Sequence, residues 1–161
     1  MKNSYVNILI QSLEDKDKVL DEVIKADAEQ AELFKENDPD LDSIRKSQER
    51  IGVLAEELDK LNEGFENVYS RVKGELNEKK DLYRDEIKKM QELITRITDK
   101  AVKIEAEQNR NKVRAEKIFK DKHKSLVNKK NTVRKLNLYA NQMHSITPKG
   151  HAEAAFLDKI S

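Results

Sequence analysis

Ile44, Ile51, Leu54, Leu58, Leu61, Phe65, Val68, Val72, Leu76, Tyr83, Ile87, Met90, Ile94, Ile97, Ala101 and Ile104 follow one another in a helical rhythm of three- and four-residue steps, with a full seven at Ile44 to Ile51 and Leu76 to Tyr83, and with no proline among them. That spacing keeps one stripe of an α-helix apolar and leaves the rest of its surface charged, so the stripe can be buried only against another helix. A shorter run with the same rhythm precedes it: Val6, Ile10, Leu13, Leu20, Ile24, Ala31 and Phe34. Asp38-Pro39-Asp40 is the strong punctuation between the two. The pattern predicts an all-α chain that packs helix on helix.

The turns follow from the capping residues. Ser4 is placed to cap a first helix over 4–36, a rod of ~50 Å at 1.5 Å per residue. Asn37 is the expected left-handed stop, Asp38 the expected N-cap of the next helix, and Pro39 its first residue, where the missing N–H goes unmissed. Asp40 and Asp42 then face the positive end of the helix dipole. So short a connection sends the second helix back antiparallel to the first. If the two match in length, the second covers 39–73 and a turn falls at Gly74 to Lys80, where Leu76 alone asks for burial. The rival is one uninterrupted helix from Pro39 past Ile104, which would need a partner chain, because a helical glycine costs only about 1 kcal/mol.

A third helix is expected over 80–138, giving one elongated helical domain at 1–140, a three-helix or coiled-coil-like bundle. Its rhythm thins through Gln108-Asn109-Arg110-Asn111 and returns weakly at Phe119, Leu126, Val133 and Ala140. Beyond it, Thr147-Pro148-Lys149-Gly150 breaks any helix, and 141–161 reads as a flexible tail with a small apolar end.

Composition agrees with an elongated bundle. Charged residues are 39% of the chain and apolar ones 37%, with four Phe, four Tyr and no Trp, too little for a thick globular core. The repeating face argues against disorder, which lacks one. Without cysteine there is no disulfide framework, thiolate zinc site or cysteine nucleophile. The opening Met1-Lys2-Asn3-Ser4-Tyr5 leads into an amphipathic run with no oily signal core and no spanning stretch, which predicts a cytoplasmic protein. The net charge of +1 conceals two regions: from Asn109 to Lys135 the balance is +9, and over residues 1–108 it is −8.

Catalytic and cofactor patterns are sparse. Asp38, Asp40, Asp42 and Glu49 have the spacing of a calcium loop, but Pro39 sits inside it and Ser43 replaces the turn glycine, so capping explains the same aspartates better. His123, His144 and His151 have no second histidine at helical ligand spacing. No nucleophile elbow, phosphate loop or dinucleotide fingerprint is present. The expectation is a non-enzymatic protein with no cofactor or metal. The basic run carries only Phe119 for stacking and no recognised nucleic-acid motif, so a solvated face, or one docked on the acidic first helices or on an acidic partner, is preferred to DNA or RNA.

Several short stretches carry a family likeness: Asn7-Ile8-Leu9-Ile10-Gln11-Ser12-Leu13 in the opening helix, Lys46 to Leu61 after the turn, Gln108-Asn109-Arg110-Asn111, and Tyr139 followed by Phe156-Leu157-Asp158-Lys159. In these and in its layout the chain resembles the FlgN/FliT-type flagellar export chaperones of bacteria. It departs from them in having no glycine after Tyr139 until Gly150, and in a heavier basic run. The resemblance implies a cytosolic chaperone that holds the terminal segment of axial flagellar proteins, hook–filament junction or filament cap, before the export apparatus takes them. It places client binding on Met90, Ile94, Ile97, Ala101 and Ile104 of the third seam, with Phe156 and Leu157 of the tail. The same seam has a plainer reading as the inner face of a three-helix bundle. Two other functions stay open: a structural coiled-coil homodimer pairing through the Ile44 to Ile104 seam, and nucleic-acid binding through 109–135.

Overall fold

The computed structural model describes residues 2–123, which form three long helices and, among those residues, no strand: α1 (Tyr5–Phe34), α2 (Leu41–Glu78) and α3 (Arg84–His123). The expected helix over 124–138 and the tail at 141–161 lie outside the described residues.

α1 is the middle element. Its backbone closes on both α2 and α3, which do not approach each other as closely among the described residues. Partners between α1 and α2 run in opposite directions: Asn3 reaches Glu75, Ser12 reaches Leu61, and Gln30 reaches Ser47. The expected antiparallel hairpin is present. Between α1 and α3 they rise together, from Asn3 with Tyr83, through Glu14 with Lys89 and Asp17 with Arg96, to Asp27 with Gln108, so α3 is parallel to α1.

Nine buried positions of α1 alternate three- and four-residue steps without a break, Val6, Leu9, Leu13, Lys16, Leu20, Val23, Asp27, Gln30 and Phe34, and Ile10, Ala26 and Ala31 are buried beside them because α1 packs on two neighbours. In α3 the same alternation runs Ile87, Met90, Ile94, Ile97, Ala101, Ile104, Gln108, Asn111, Ala115. A strict seven-residue repeat is the coiled-coil register, and it sets the centre of each buried face. It puts Val23 in the core and leaves Ile24 36% exposed, reversing the expectation for Ile24. It also brings polar residues inward, at places an apolar count skips.

Three local expectations are corrected. Ser4 has helical φ and ψ and makes no side-chain cap; Asn3 does so, its Oδ1 accepting from the Tyr5 N–H at 2.9 Å. No described residue outside glycine has positive φ, so Asn37 is not a left-handed stop. The N-cap of α2 is Asp40, not Asp38: its carboxylate accepts from the Asp42 N–H at 3.2 Å and the Ser43 hydroxyl at 3.0 Å. Pro39 therefore precedes the cap instead of opening the helix.

The second turn lies at 79–83, five residues beyond Gly74 where it was expected to begin. α2 continues because Val72 and Leu76 stay in register and are almost fully buried, whereas stopping at Gly74 would strand Leu76. Tyr83 then closes this end of the bundle, fully buried, its hydroxyl accepting from the Asn3 N–H at 2.6 Å. Asn3 also donates to Glu75 at 3.0 Å, which holds that carboxyl below the usual range. One residue thus ties the start of α1 to both neighbours.

Gly64 and Gly74 sit on the outer face of α2, where an added Cβ would meet nothing within 4 Å. Glycine there contributes only its backbone freedom, so Gly64→Ala and Gly74→Ala are each expected to stabilise by about 0.5–1 kcal/mol. Thermal melts of the single and double variants check this: the two gains should add, and a lower melting temperature for either would contradict the placement.

Candidate functional site

The end of the bundle opposite Tyr83 is built differently. α1 stops at Phe34, its last carbonyls taken by the Lys35 and Glu36 N–H groups, while α3 runs on to His123. The connection to α2 folds against that overhang. Lys122 fixes it, donating to the Pro39 carbonyl at 2.7 Å and pairing with Asp38 at 3.0 Å. Between connection and overhang lies a cleft of about 560 Å³, lined by Phe34, Asn37, Pro39, Arg114, Lys117 and Ile118 with acidic and basic neighbours at its rim.

Under the cleft is a small apolar cluster of Phe34, Ile44 and Ala115, separate from the main core. Leu33, Leu41, Ile118 and Phe119 pack against it and remain only partly covered. Below that comes a polar layer joining all three helices. Gln108 Nε2 donates to Asp27 Oδ1 at 3.1 Å, Asn111 Nδ2 donates to the Asp27 carbonyl at 3.0 Å, and Gln30 Nε2 donates to Ser47 Oγ and Gln48 Oε1, each at 3.0 Å. Asp27 Oδ2 and Gln30 Oε1 are buried without a partner, so the layer is short of donors. Burial pushes the Asp27 carboxyl up to about 7, against the Gln108 hydrogen bond and with a smaller push from Glu107.

The layer connects to the cleft. Asn111 Oδ1 accepts from Arg114 at 2.7 Å, and Arg114, which lines the cleft, also pairs with Glu107 at 3.0 Å. Glu107 is held below the usual carboxylate range by its hydrogen bonds from Arg110 and Arg114. The cleft is lined chiefly by polar groups and charges of both signs, with Phe34, Pro39 and Ile118 as its apolar part. Such a lining suits a peptide segment with an apolar face and polar flanks.

The seam residues expected to meet a client lie elsewhere. Met90, Ile94, Ile97, Ala101 and Ile104 are each 0–1% exposed, on the side of α3 that faces into the bundle. While α3 rests on α1 they present no surface. Phe156 and Leu157 lie outside the described residues. The aspartates with calcium-loop spacing are engaged in the fold: Asp40 caps α2, Asp42 pairs with Arg45 and Lys46, Glu49 with Arg45, and Asp38 with Lys122. No cluster among the described residues has the makings of a metal site, and no described helix is long and apolar enough to cross a membrane.

Part of the basic run is likewise occupied. Of its described cations, Arg110 and Arg114 pair with Glu107 and Lys122 with Asp38. Further up α3, Lys89, Arg96 and Lys100 reach Glu14, Asp17 and Asp21 of α1. Burial works against the Lys100 ammonium, but its two aspartates outweigh it and its pKa is raised.

The apolar count did not single out Asp27, Gln30, Gln108, Asn111 and Arg114. Their signal is phase: carrying the steps of Ile97, Ala101 and Ile104 forward lands on Gln108, Asn111 and Ala115. No protein-family model matches the chain, and neither a curated protein nor a solved structure does.

Proposed function

We propose that the chain is a protein-binding module that holds a terminal segment of another protein, and specifically a cytosolic export chaperone for axial flagellar proteins of the hook–filament junction or filament cap. The flagellar client comes from the family resemblance. The observation that supports a holding role is the distal cleft of about 560 Å³, where Ile118, only partly covered by the small apolar cluster, and Phe34 offer apolar surface among polar and charged groups. The third seam serves the bundle itself, so in this reading the client meets the distal end instead. A segment laid there buries apolar side chains over the small cluster and sets polar groups against Arg114 and Lys117.

Titration of the full chain with a synthetic peptide of the terminal segment of a hook–filament junction protein tests this. Binding should persist from low to physiological salt, because apolar burial is little screened. Ile118→Asp should weaken it about tenfold or more while helicity is retained, the side chain lining the cleft and being half-buried. Failure of every axial-protein terminal peptide to bind the intact fold would overturn the reading, as would tight binding to plain DNA or RNA that collapses with salt.

A further inference from the structure

The outer side of α3 carries a stripe without charge. Thr95, Thr98, Val102, Ala106, Asn109 and Val113 follow one another at helical spacing and are all exposed, in a chain that is 39% charged. Val102 and Val113, at 61% and 66% exposure, are the most exposed large apolar side chains among the described residues. The stripe turns away from the seam that α3 presents to the bundle, and no other described helix covers it. With Gln91 at its start it is about 33 Å long at 1.5 Å per residue.

Its spacing is the same read in either direction. From Val102 the steps run four, three and four residues back to Gln91, and four, three and four forward to Val113. A second α3 laid antiparallel with its two-fold axis at Val102 therefore sets Val102 on its twin, Thr98 on Ala106 and Thr95 on Asn109. The flanking charges agree with that arrangement. Glu92, Asp99, Lys103 and Arg110 line one edge of the stripe, acidic toward its start and basic toward its end. A two-fold axis perpendicular to both helices keeps this edge against itself in reverse order, so Asp99 meets Lys103 of the second copy and Glu92 meets Arg110. Each pair occurs twice. Among the described residues, Glu92, Asp99 and Lys103 form no ion pair within the chain, unlike Arg96 and Lys100 beside them, whereas Arg110 already pairs with Glu107, so the Asp99–Lys103 pair is the stronger of the two.

We propose that this face is the docking site for a second copy of the chain, forming a two-fold antiparallel dimer through the outer side of α3. The surface is distinct from the Ile44 to Ile104 seam and independent of any client at the distal cleft. One helix pair of this length falls below the ~1,200 Å² typical of stable complexes, so the dimer belongs to the weak, reversible class.

Sedimentation velocity of the full chain from about 5 to about 500 µM should show a monomer–dimer equilibrium within that range. Asp99→Lys should weaken the dimer about tenfold or more, by setting like charges opposite each other twice. The double variant D99K/K103D, which reverses both signs, should restore it. Because the chain has no cysteine, Val102→Cys supplies a single thiol at the axis, and a short bismaleimide should link it to its twin. Val53→Cys, at an equally exposed valine on α2, should stay unlinked. A wild-type chain that is monomeric at the highest concentration would overturn the proposal. So would a dimer indifferent to Asp99→Lys, or one in which Val53→Cys links as readily as Val102→Cys.

Discussion

Asp27→Asn is expected to stabilise the protein by about 2–4 kcal/mol at pH 8 and to make little difference near pH 4. Asp27 is 1% exposed and its carboxyl is pushed up to about 7, chiefly by burial. An unfolded chain releases that proton near 3.8. Between these values the folded state holds a proton that the unfolded state has let go, so stability falls as pH rises across the window and levels off above about 7. The physical cause is burial of a carboxylate whose Oδ2 has no hydrogen-bond partner, so the neutral acid is favoured inside the fold. Asparagine keeps an acceptor for Gln108 and carries no charge at any pH. Urea melts of both proteins at pH 4 and pH 8 measure the effect. An Asp27→Asn variant less stable than wild type at pH 8, or a difference that ignores pH, would show that the carboxylate is not the liability described.

Ile97→Asp is expected to lose about 4 kcal/mol or more, enough to leave a protein of ordinary stability largely unfolded. Ile97 is fully buried at the centre of the α3 seam, within the main apolar cluster that all three helices share. An ionised carboxylate there would have no partner of opposite charge designed to meet it. Circular dichroism at 25 °C should show the helical signal collapsing, whereas Val102→Asp, on the outer face of the same helix, should retain it. Retained helicity in Ile97→Asp would mean that α3 does not rest on α1 as described. Loss of client binding in Ile97→Asp would report loss of fold, which is why Ile118, on the cleft, is the informative position for that question.

How much could be read from the residues alone differs from one end of the bundle to the other. The all-α class, the first hairpin and most of the third seam were legible, because Ile, Leu and Val at helical spacing have no other way to leave water. The caps were displaced by one or two residues. Asp38 and Asp40 are equally good caps in isolation; in the fold Asp38 pairs with Lys122 and Asp40 takes the cap. Likewise Gly74 looks like a stop until Leu76 is seen buried beyond it. The polar layer was illegible for a stronger reason. Asp27, Gln108 and Asn111 each read as surface residues, and their burial makes sense only when partners some 81 to 84 positions apart are brought together. The distal cleft has the same origin, since the α1–α2 connection and the end of α3 share no local pattern.

The middle position of α1 also imposes an order in time. Its contacts with α2 can close once the chain has emerged to Glu78, but those with α3 wait for residues up to His123. At about 5–20 residues per second on the ribosome, that interval is roughly 2–9 s. During it the nascent hairpin carries an oily flank on α1, edged by Glu14, Asp17 and Asp21, that no later part of its own chain has reached. Nascent α1–α2 hairpins on neighbouring ribosomes of one message therefore share a sticky, acidic edge. The basic α3, the last of the three described helices to arrive, closes it.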